Sequence, residues 1–263
     1  MATRQGARTG TLEAGQVRAM FDRIAGVYDL MNSAMTAGLH HRWRARAAQE
    51  ARVGPGSRAL DVACGTGDLA LALAARVLPG GEVLGCDFSE RMLDHARSKA
   101  AARGTGPAVR FEWADAMALP YDDAAFDAAT VGFGARNFDQ LGRGLSEMVR
   151  VVRPGGRVVV LEITTPTRPP LAQFYGLWFD RLVPALGEGA GALERLVARA
   201  RGGEAADGIA DAYSYLPSSV KRFPAPGELA AQLAGAGLVE ISYVLTAGGI
   251  VAIHAGTVAE GAP

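Results

Sequence analysis

Residues 59–70 read ALDVACGTGDLA. A short β-rich run, SRALDVAC, meets the glycines Gly65 and Gly67 and passes at once into the apolar helical stretch DLALALAARV. Strand, glycine turn and helix in that order form the opening unit of a Rossmann-like α/β sheet. With Ala70 the turn satisfies G-x-G-x-x-G/A, a pattern that is weak by itself. Its neighbours sharpen it. Asp61 ends the strand and Asp68 starts the helix, so a pyrophosphate on this turn would meet two like charges. S-adenosyl-L-methionine carries an ammonium and a sulfonium instead, and both suit carboxylates. The charge pattern points to that cofactor rather than to NAD, with Asp61, Gly65, Thr66 and Gly67 holding it. Asp68 also has a plainer reading, an acid favoured at a helix start by the dipole.

Working outward, EVLGCDF, AVRFEWAD, FDAATVGFG and GRVVVLEIT read as further strands, with SERMLDHARSKAAARG and LGRGLSEMVRVV as helices between them. This alternation predicts a mostly parallel sheet with right-handed crossovers. Asp87 ends the second strand about 20 residues after the glycines, where an acid accepts hydrogen bonds from ribose hydroxyls. It could instead cap the next helix, although Ser89 is placed to do so. Asp115 and Ala116 follow the third strand, where a carboxylate and a backbone N–H can meet an adenine. LVEISYVL and GGIVAIHAGTV, joined by a short turn, predict an antiparallel hairpin closing the sheet.

The expected organisation is a disordered tail over 1–15 and one domain over 16–256. The domain divides into N-terminal helices (16–52), a cofactor core (57–165), a covering segment (166–225), and a closing helix and hairpin (226–256). The covering segment contains a Gly/Ala-rich insertion at 187–211, and residues 257–263 are expected to fray. Within it, Leu171, Phe174, Tyr175, Trp178 and Leu182 share a helical face that could guide an apolar tail, pack on the core or face a second copy.

Lys+Arg and Asp+Glu are both 27, so net charge gives no reason to expect nucleic acid. Cys64 and Cys86 form no Cys-x-x-Cys pair, which argues against a disulfide framework or zinc knuckle. The four histidines show no metal-ligand spacing, so no metal is expected. His40 and His41, beside Trp43, could line a pocket mouth but read first as surface helix, His95 as solvated, and His254 as a satisfied core residue. No apolar run approaches a membrane span, and no secretory signal is visible, so cytoplasm is the expected location.

The motifs ALDVACGTGDLA, GCDFSERML, WADAMALPYDDAAFDAATVGFGARNF and RVVRPGGRVVVLEI together resemble the ubiquinone/menaquinone biosynthesis C-methyltransferases. The resemblance extends beyond the generic cofactor fold, to VRAMFDRIAGVYDLMN, GFGARNF, YSYLPSSVKRFP and LTAGGIVAIHAG, and covers roughly residues 16–256. It implies methyl transfer to a ring carbon of a prenylated quinol, with demethylmenaquinol favoured. It also implies that Thr66, Asp87, Asp115 and Ala116 contact the cofactor, and that Tyr28, Arg136 and Asn137 face the substrate. A prenylated substrate leaves room for peripheral contact at the inner face of a membrane, and a homodimer stays open.

A quinol carbon becomes nucleophilic once the neighbouring hydroxyl loses its proton. Arg136 is the expected electrostatic partner of that phenolate, with a water held by Arg136, Asn137 and Tyr28 as base, because a guanidinium does not deprotonate. The plain readings are a helix cap for Arg136-Asn137 and a core aromatic for Tyr28. Rival functions are methylation of a soluble natural-product ring, an NAD-dependent oxidoreductase, and a scaffold that keeps the fold without catalysis. Calorimetric titration with cofactor discriminates the last of these.

Overall fold

The computed structural model describes residues 12–167, 169, 171–177, 181, 185, 189 and 208–260. Three helices lead: α1 (Ala14–Ile24), α2 (Tyr28–Thr36) and α3 (Leu39–Glu50). The core follows as β1 (Arg58–Val62), α4 (Asp68–Val77), β2 (Glu82–Asp87), α5 (Glu90–Ala102), β3 (Val109–Trp113), β4 (Phe126–Gly132), α6 (Leu141–Arg150) and β5 (Val152–Ile163). Then come α7 (Leu171–Leu177), α8 (Gly208–Arg222), α9 (Pro226–Gly235), β6 (Leu238–Thr246) and β7 (Val251–Val258).

The strands form one sheet in the order β3-β2-β1-β4-β5-β7-β6. β1 to β5 are parallel, and β7 runs antiparallel between β5 and β6. The expected closing hairpin is therefore present, with its second strand inserted into the sheet. β1 lies between β2 and β4 and is buried on both faces, which is why ALDV is a near-continuous apolar run rather than an alternating one. The order reverses at β1/β4, the switch point where open α/β sheets bind ligands beyond their strand ends.

Apolar helix faces bury both sides of the sheet. Ala47 and Ala48 of α3, Leu69, Leu73 and Val77 of α4, and Leu93 and Ala96 of α5 form one core cluster. Leu145 and Met148 of α6 with Leu229 and Leu233 of α9 form another. Ser89 caps α5 as its position suggests, its Oγ accepting from Met92 N–H at 3.2 Å. Val17, Met20 and Ile24 of α1 pack with Met92 of α5 and with Ala212 and Tyr215 of α8, so α1 joins the core to the covering segment.

Several boundaries differ from expectation. α1 starts at Ala14, inside the expected tail, and β7 runs on to Val258, inside the segment expected to fray. α8 is a helix that the sequence reading left unassigned, because Pro217 inside it breaks the helical signal. It takes up the end of the 187–211 insertion, most of which lies outside the described residues. On α7, Tyr175 is buried whereas Phe174 and Leu177 are exposed, and Trp178 and Leu182 lie outside the described residues.

Candidate active site

Two cavities meet at the C-terminal ends of β1, β2, β3 and β4. The first, about 190 Å³, is lined by Asp61, Gly65, Thr66, Asp87, Asp115, Ala116 and Asn137 among others. The second, about 350 Å³, is mostly apolar, with Met31, Met35, Trp43, Ile163 and Tyr175 in its wall and Arg136 and His40 among its polar members. Phe21, Tyr28, Arg44 and Phe133 line both and form the partition between them.

The first cavity fits a cationic, ribose-bearing ligand. β1 places Asp61 beside Thr130 of β4, whose hydroxyl donates to Asp61 Oδ1 at 2.7 Å. Asp61 Oδ2 is buried without a hydrogen-bond partner among the described residues. Burial pushes this carboxyl up to about 7, against the lowering effect of the Thr130 bond. A buried acceptor in this state asks for a cation, and an ammonium supplies one. Asp87 is also buried, and burial raises it to about 6 although the N–H groups of Ser89 and Gly65 favour its charge. It accepts from Gly65 N–H at 2.8 Å and Ser89 N–H at 2.9 Å and keeps acceptor capacity for ribose hydroxyls. Asp115 is exposed, and its Oδ1 accepts from Met117 N–H at 2.9 Å.

Two expectations change here. Asp68 does not line the cofactor cavity. Its carboxylate takes Lys99 Nζ at 2.8 Å and lies 3.4 Å from Arg44, and these cations outweigh burial and hold its pKa down. Of the two carboxylates at the turn, Asp61 is the one that would meet a pyrophosphate in the cavity. Gly67 is also absent from the lining and faces the core. At φ 82° it adopts a left-handed backbone, and a Cβ there would stand 2.8 Å from Phe111 and 2.9 Å from Ala96. Thr66 lines the cavity, while its hydroxyl donates to Asp29 at 2.6 Å and accepts from Lys99 at 2.9 Å.

The other chamber is held together by a buried ion pair. Arg136 Nη1 donates to Glu162 at 2.7 Å and to the Phe133 carbonyl at 2.6 Å. Burial opposes the guanidinium charge, but Glu162 prevails and keeps its pKa above the ordinary value, so Arg136 remains a cation. Its Nε–H has no partner among the described residues. Asn137 does not cap α6, whose cap position is Gln140. Its Oδ1 is instead buried without a partner, on the cofactor side. Consecutive residues thus face opposite chambers. Tyr28 stands on the partition, its ring edge-on to Phe21 at 6.1 Å.

Sequence reasoning missed Glu162, although a lone acid in the apolar run GRVVVLEIT is a signal for a buried partner. Of the two readings open for His40 the structure takes the pocket one: it is buried and lines the larger cavity rather than sitting on the surface. His254 is a satisfied core residue as expected, Nε2 lying 2.9 Å from the Pro226 carbonyl. Cys86 is buried and Cys64 half-buried in the cofactor cavity wall. His40, His41 and Asp68 bring one ligand atom each within 4.8 Å of one another. Lys99 and Arg44 already occupy that carboxylate, which makes it a poor place for a metal ion.

The sequence profile described as the ubiE/COQ5 methyltransferase family matches residues 9–258. A demethylmenaquinone methyltransferase of Thermus thermophilus is 46% identical over 237 residues, spanning 90% of this chain and 99% of that one. One from Desulfitobacterium hafniense is 41% identical over 94% of this chain and 92% of its own. Among solved structures, the [4+2]-cyclase SpnF superposes with a TM-score of 0.64 at 21% identity, over 95% of this chain and 98% of that one. A SAM-dependent methyltransferase from Aquifex aeolicus gives 0.56 at 17% identity, over 82% and 89%. At these identities the structural likenesses speak for the fold alone.

Proposed function

The chain belongs to the ubiE/COQ5 methyltransferase family, and from that premise we propose that it methylates a ring carbon of demethylmenaquinol to give menaquinol. S-adenosyl-L-methionine, when bound, supplies an electrophilic methyl group on a sulfonium with a neutral leaving group. The residues that would hold it are Asp61 toward the ammonium, Asp87 toward the ribose, and Asp115 with the Ala116 backbone toward the adenine.

The remaining work falls to the chain's own side chains. With so good a leaving group, placing the acceptor carbon at the partition supplies much of the acceleration. The observation that carries the reading is the split of Arg136 and Asn137 between the two chambers, beside Tyr28 on their shared wall. Arg136 stays cationic and faces the acceptor, where it lowers the energy of the phenolate that makes the ring carbon nucleophilic. A water held beside Tyr28 at the partition, which Arg136 and Asn137 approach from either chamber, takes the hydroxyl proton; after methyl transfer the ring carbon loses its hydrogen as a proton and the phenolate regains one, so that one proton is released overall. The apolar wall of the larger cavity suits a fused ring and keeps other water away.

A lipid-borne acceptor would bring a cytoplasmic enzyme into peripheral contact with the inner face of a membrane. No helix of the described residues is long and apolar enough to cross a membrane. Leu30 on α2 and Phe174 and Leu177 on α7 are exposed apolar side chains on helices that also line the acceptor cavity, which supports contact at that end. Incorporation of labelled methyl into demethylmenaquinol, measured beside a panel of soluble phenols, tests the proposal. Preferential labelling of demethylmenaquinol supports it, and equal or faster labelling of the soluble phenols replaces it with a natural-product methyltransferase.

A further inference from the structure

His40 sits in the wall of the acceptor cavity with its hydrogen-bonding already half decided. Its Nδ1 lies 2.7 Å from Thr36 Oγ1. That hydroxyl has a single proton, and it donates it to the Asn32 carbonyl one turn back, also at 2.7 Å. Thr36 Oγ1 can therefore only accept from the ring, and the proton between them belongs to His40 Nδ1. The His40 backbone N–H, 3.4 Å from the same oxygen, adds a second donor and reinforces the assignment. The ring is also kept neutral. Burial, helped by Arg44 and His41, holds it down to about 4 against the opposing pull of Asp68 and Asp29. A neutral imidazole with its proton on Nδ1 has a bare lone pair on Nε2. Among the described residues the hydrogen bonds of His40 run from its Nδ1 and its backbone N–H and none reaches Nε2, on a residue that lines the cavity.

We infer that His40 is a specificity-determining residue that selects the reduced, quinol form of the acceptor over the quinone, by presenting an obligate hydrogen-bond acceptor to the ring hydroxyl that keeps its proton. The inference rests on the quinol reading above and adds the redox state that the cavity admits. A 1,4-quinol has two hydroxyls. One loses its proton and pairs with Arg136, which can only donate; the other retains its proton and needs an acceptor. A quinone offers carbonyl oxygens at both positions. Against His40 Nε2, one of them would set acceptor against acceptor and leave two buried polar atoms unpaired. Sites built this way discriminate strongly, because the wrong ligand strands the site's own polar group.

The test titrates short-prenyl demethylmenaquinol and its quinone, under anaerobic conditions, into protein saturated with S-adenosylhomocysteine so that no turnover occurs. The quinol should bind at least about 10-fold more tightly than the quinone, the scale of one stranded buried polar group. In His40→Gln, whose amide can donate as well as accept, the ratio should fall to within about 3-fold. Thr36→Val removes the partner that fixes the tautomer and should lower the ratio in the same way, with S-adenosylhomocysteine affinity unchanged in both variants. Nitrogen-15 NMR of the free protein should place the His40 proton on Nδ1. A proton on Nε2, or full discrimination surviving in both variants, overturns the assignment. Quinol binding without redox preference in the wild type overturns this inference and spares the function. Failure of either form to bind removes both.

Discussion

Replacing Arg136 tests the mechanism most directly, and the structure shows how to keep the result interpretable. The Arg136 and Glu162 side chains are 7% and 2% exposed, so Arg136→Ala leaves a carboxylate buried with only backbone N–H groups to hold it, those of Arg136 at 3.2 Å and Ile163 at 2.8 Å. Breaking one side of such a pair costs about 3–5 kcal/mol. At about 2–4 °C per kcal/mol for a chain of this size, the midpoint should fall by roughly 6–20 °C. Lost turnover in that variant alone could therefore reflect unfolding. Arg136→Met/Glu162→Gln removes both charges at similar volume and should recover most of the stability, since neutral replacements of buried pairs are often close to neutral in free energy. Turnover should stay low in both, by at least ~10²-fold, the scale for losing one preorganised electrostatic stabiliser. Calorimetry gives S-adenosyl-L-methionine affinity, thermal denaturation gives stability, and labelled methyl transfer gives rate. A double variant that is stable, binds cofactor normally and methylates demethylmenaquinol at the wild-type rate refutes the role of Arg136.

Asp61 should make both stability and cofactor affinity depend on pH. Its folded pKa is raised to about 7, so in the cofactor-free protein its contribution is fully present below about pH 4 and is lost as pH rises through about 7. Asp87, raised to about 6, acts in the same direction. Affinity for an ammonium-bearing cofactor should rise over that window as Asp61 ionises, and Asp61→Asn should flatten both profiles; an unchanged pH slope in denaturation and calorimetry would remove Asp61 from this role. Gly67→Ala should lower stability by ~2–4 kcal/mol through overpacking against Phe111 and Ala96 and a left-handed backbone, read as a lower melting temperature. An unaltered midpoint would show that the turn relaxes freely.

The core of the fold was legible because its signals are local. The strand, the glycine turn and α4 follow from a dozen consecutive residues, and the hairpin from two β-rich runs with a turn between them. The role of Asp68, cofactor neighbour or helix-start acid, stayed open because spacing does not say which way a carboxylate turns. Lys99, which claims it, lies 31 positions away on another helix, and Arg44 comes from a third. The same holds for His40, which lines a cavity whose wall also draws on α1, α2, α7 and α8. Glu162 and Arg136, 26 positions apart, announce themselves as a pair only once β5 and the turn after β4 are adjacent.

The insertion of β7 between β5 and β6 has a consequence for how the polypeptide is made. β5 emerges from the ribosome before β7 exists, and everything from Thr164 to Ile250 must be translated in between. At roughly 5–20 residues/s, the nascent chain carries the outer edge of β5 unpaired for on the order of 10 s. That edge spans Arg157–Ile163 and includes the run Val158-Val159-Val160-Leu161, with strong β-propensity and no charge of its own. Translation thus passes through an interval in which the half-made protein is a template for pairing with other chains. A fragment ending before Val251 is fixed in that interval, and it should collect in the insoluble fraction on expression rather than persist as a smaller folded enzyme.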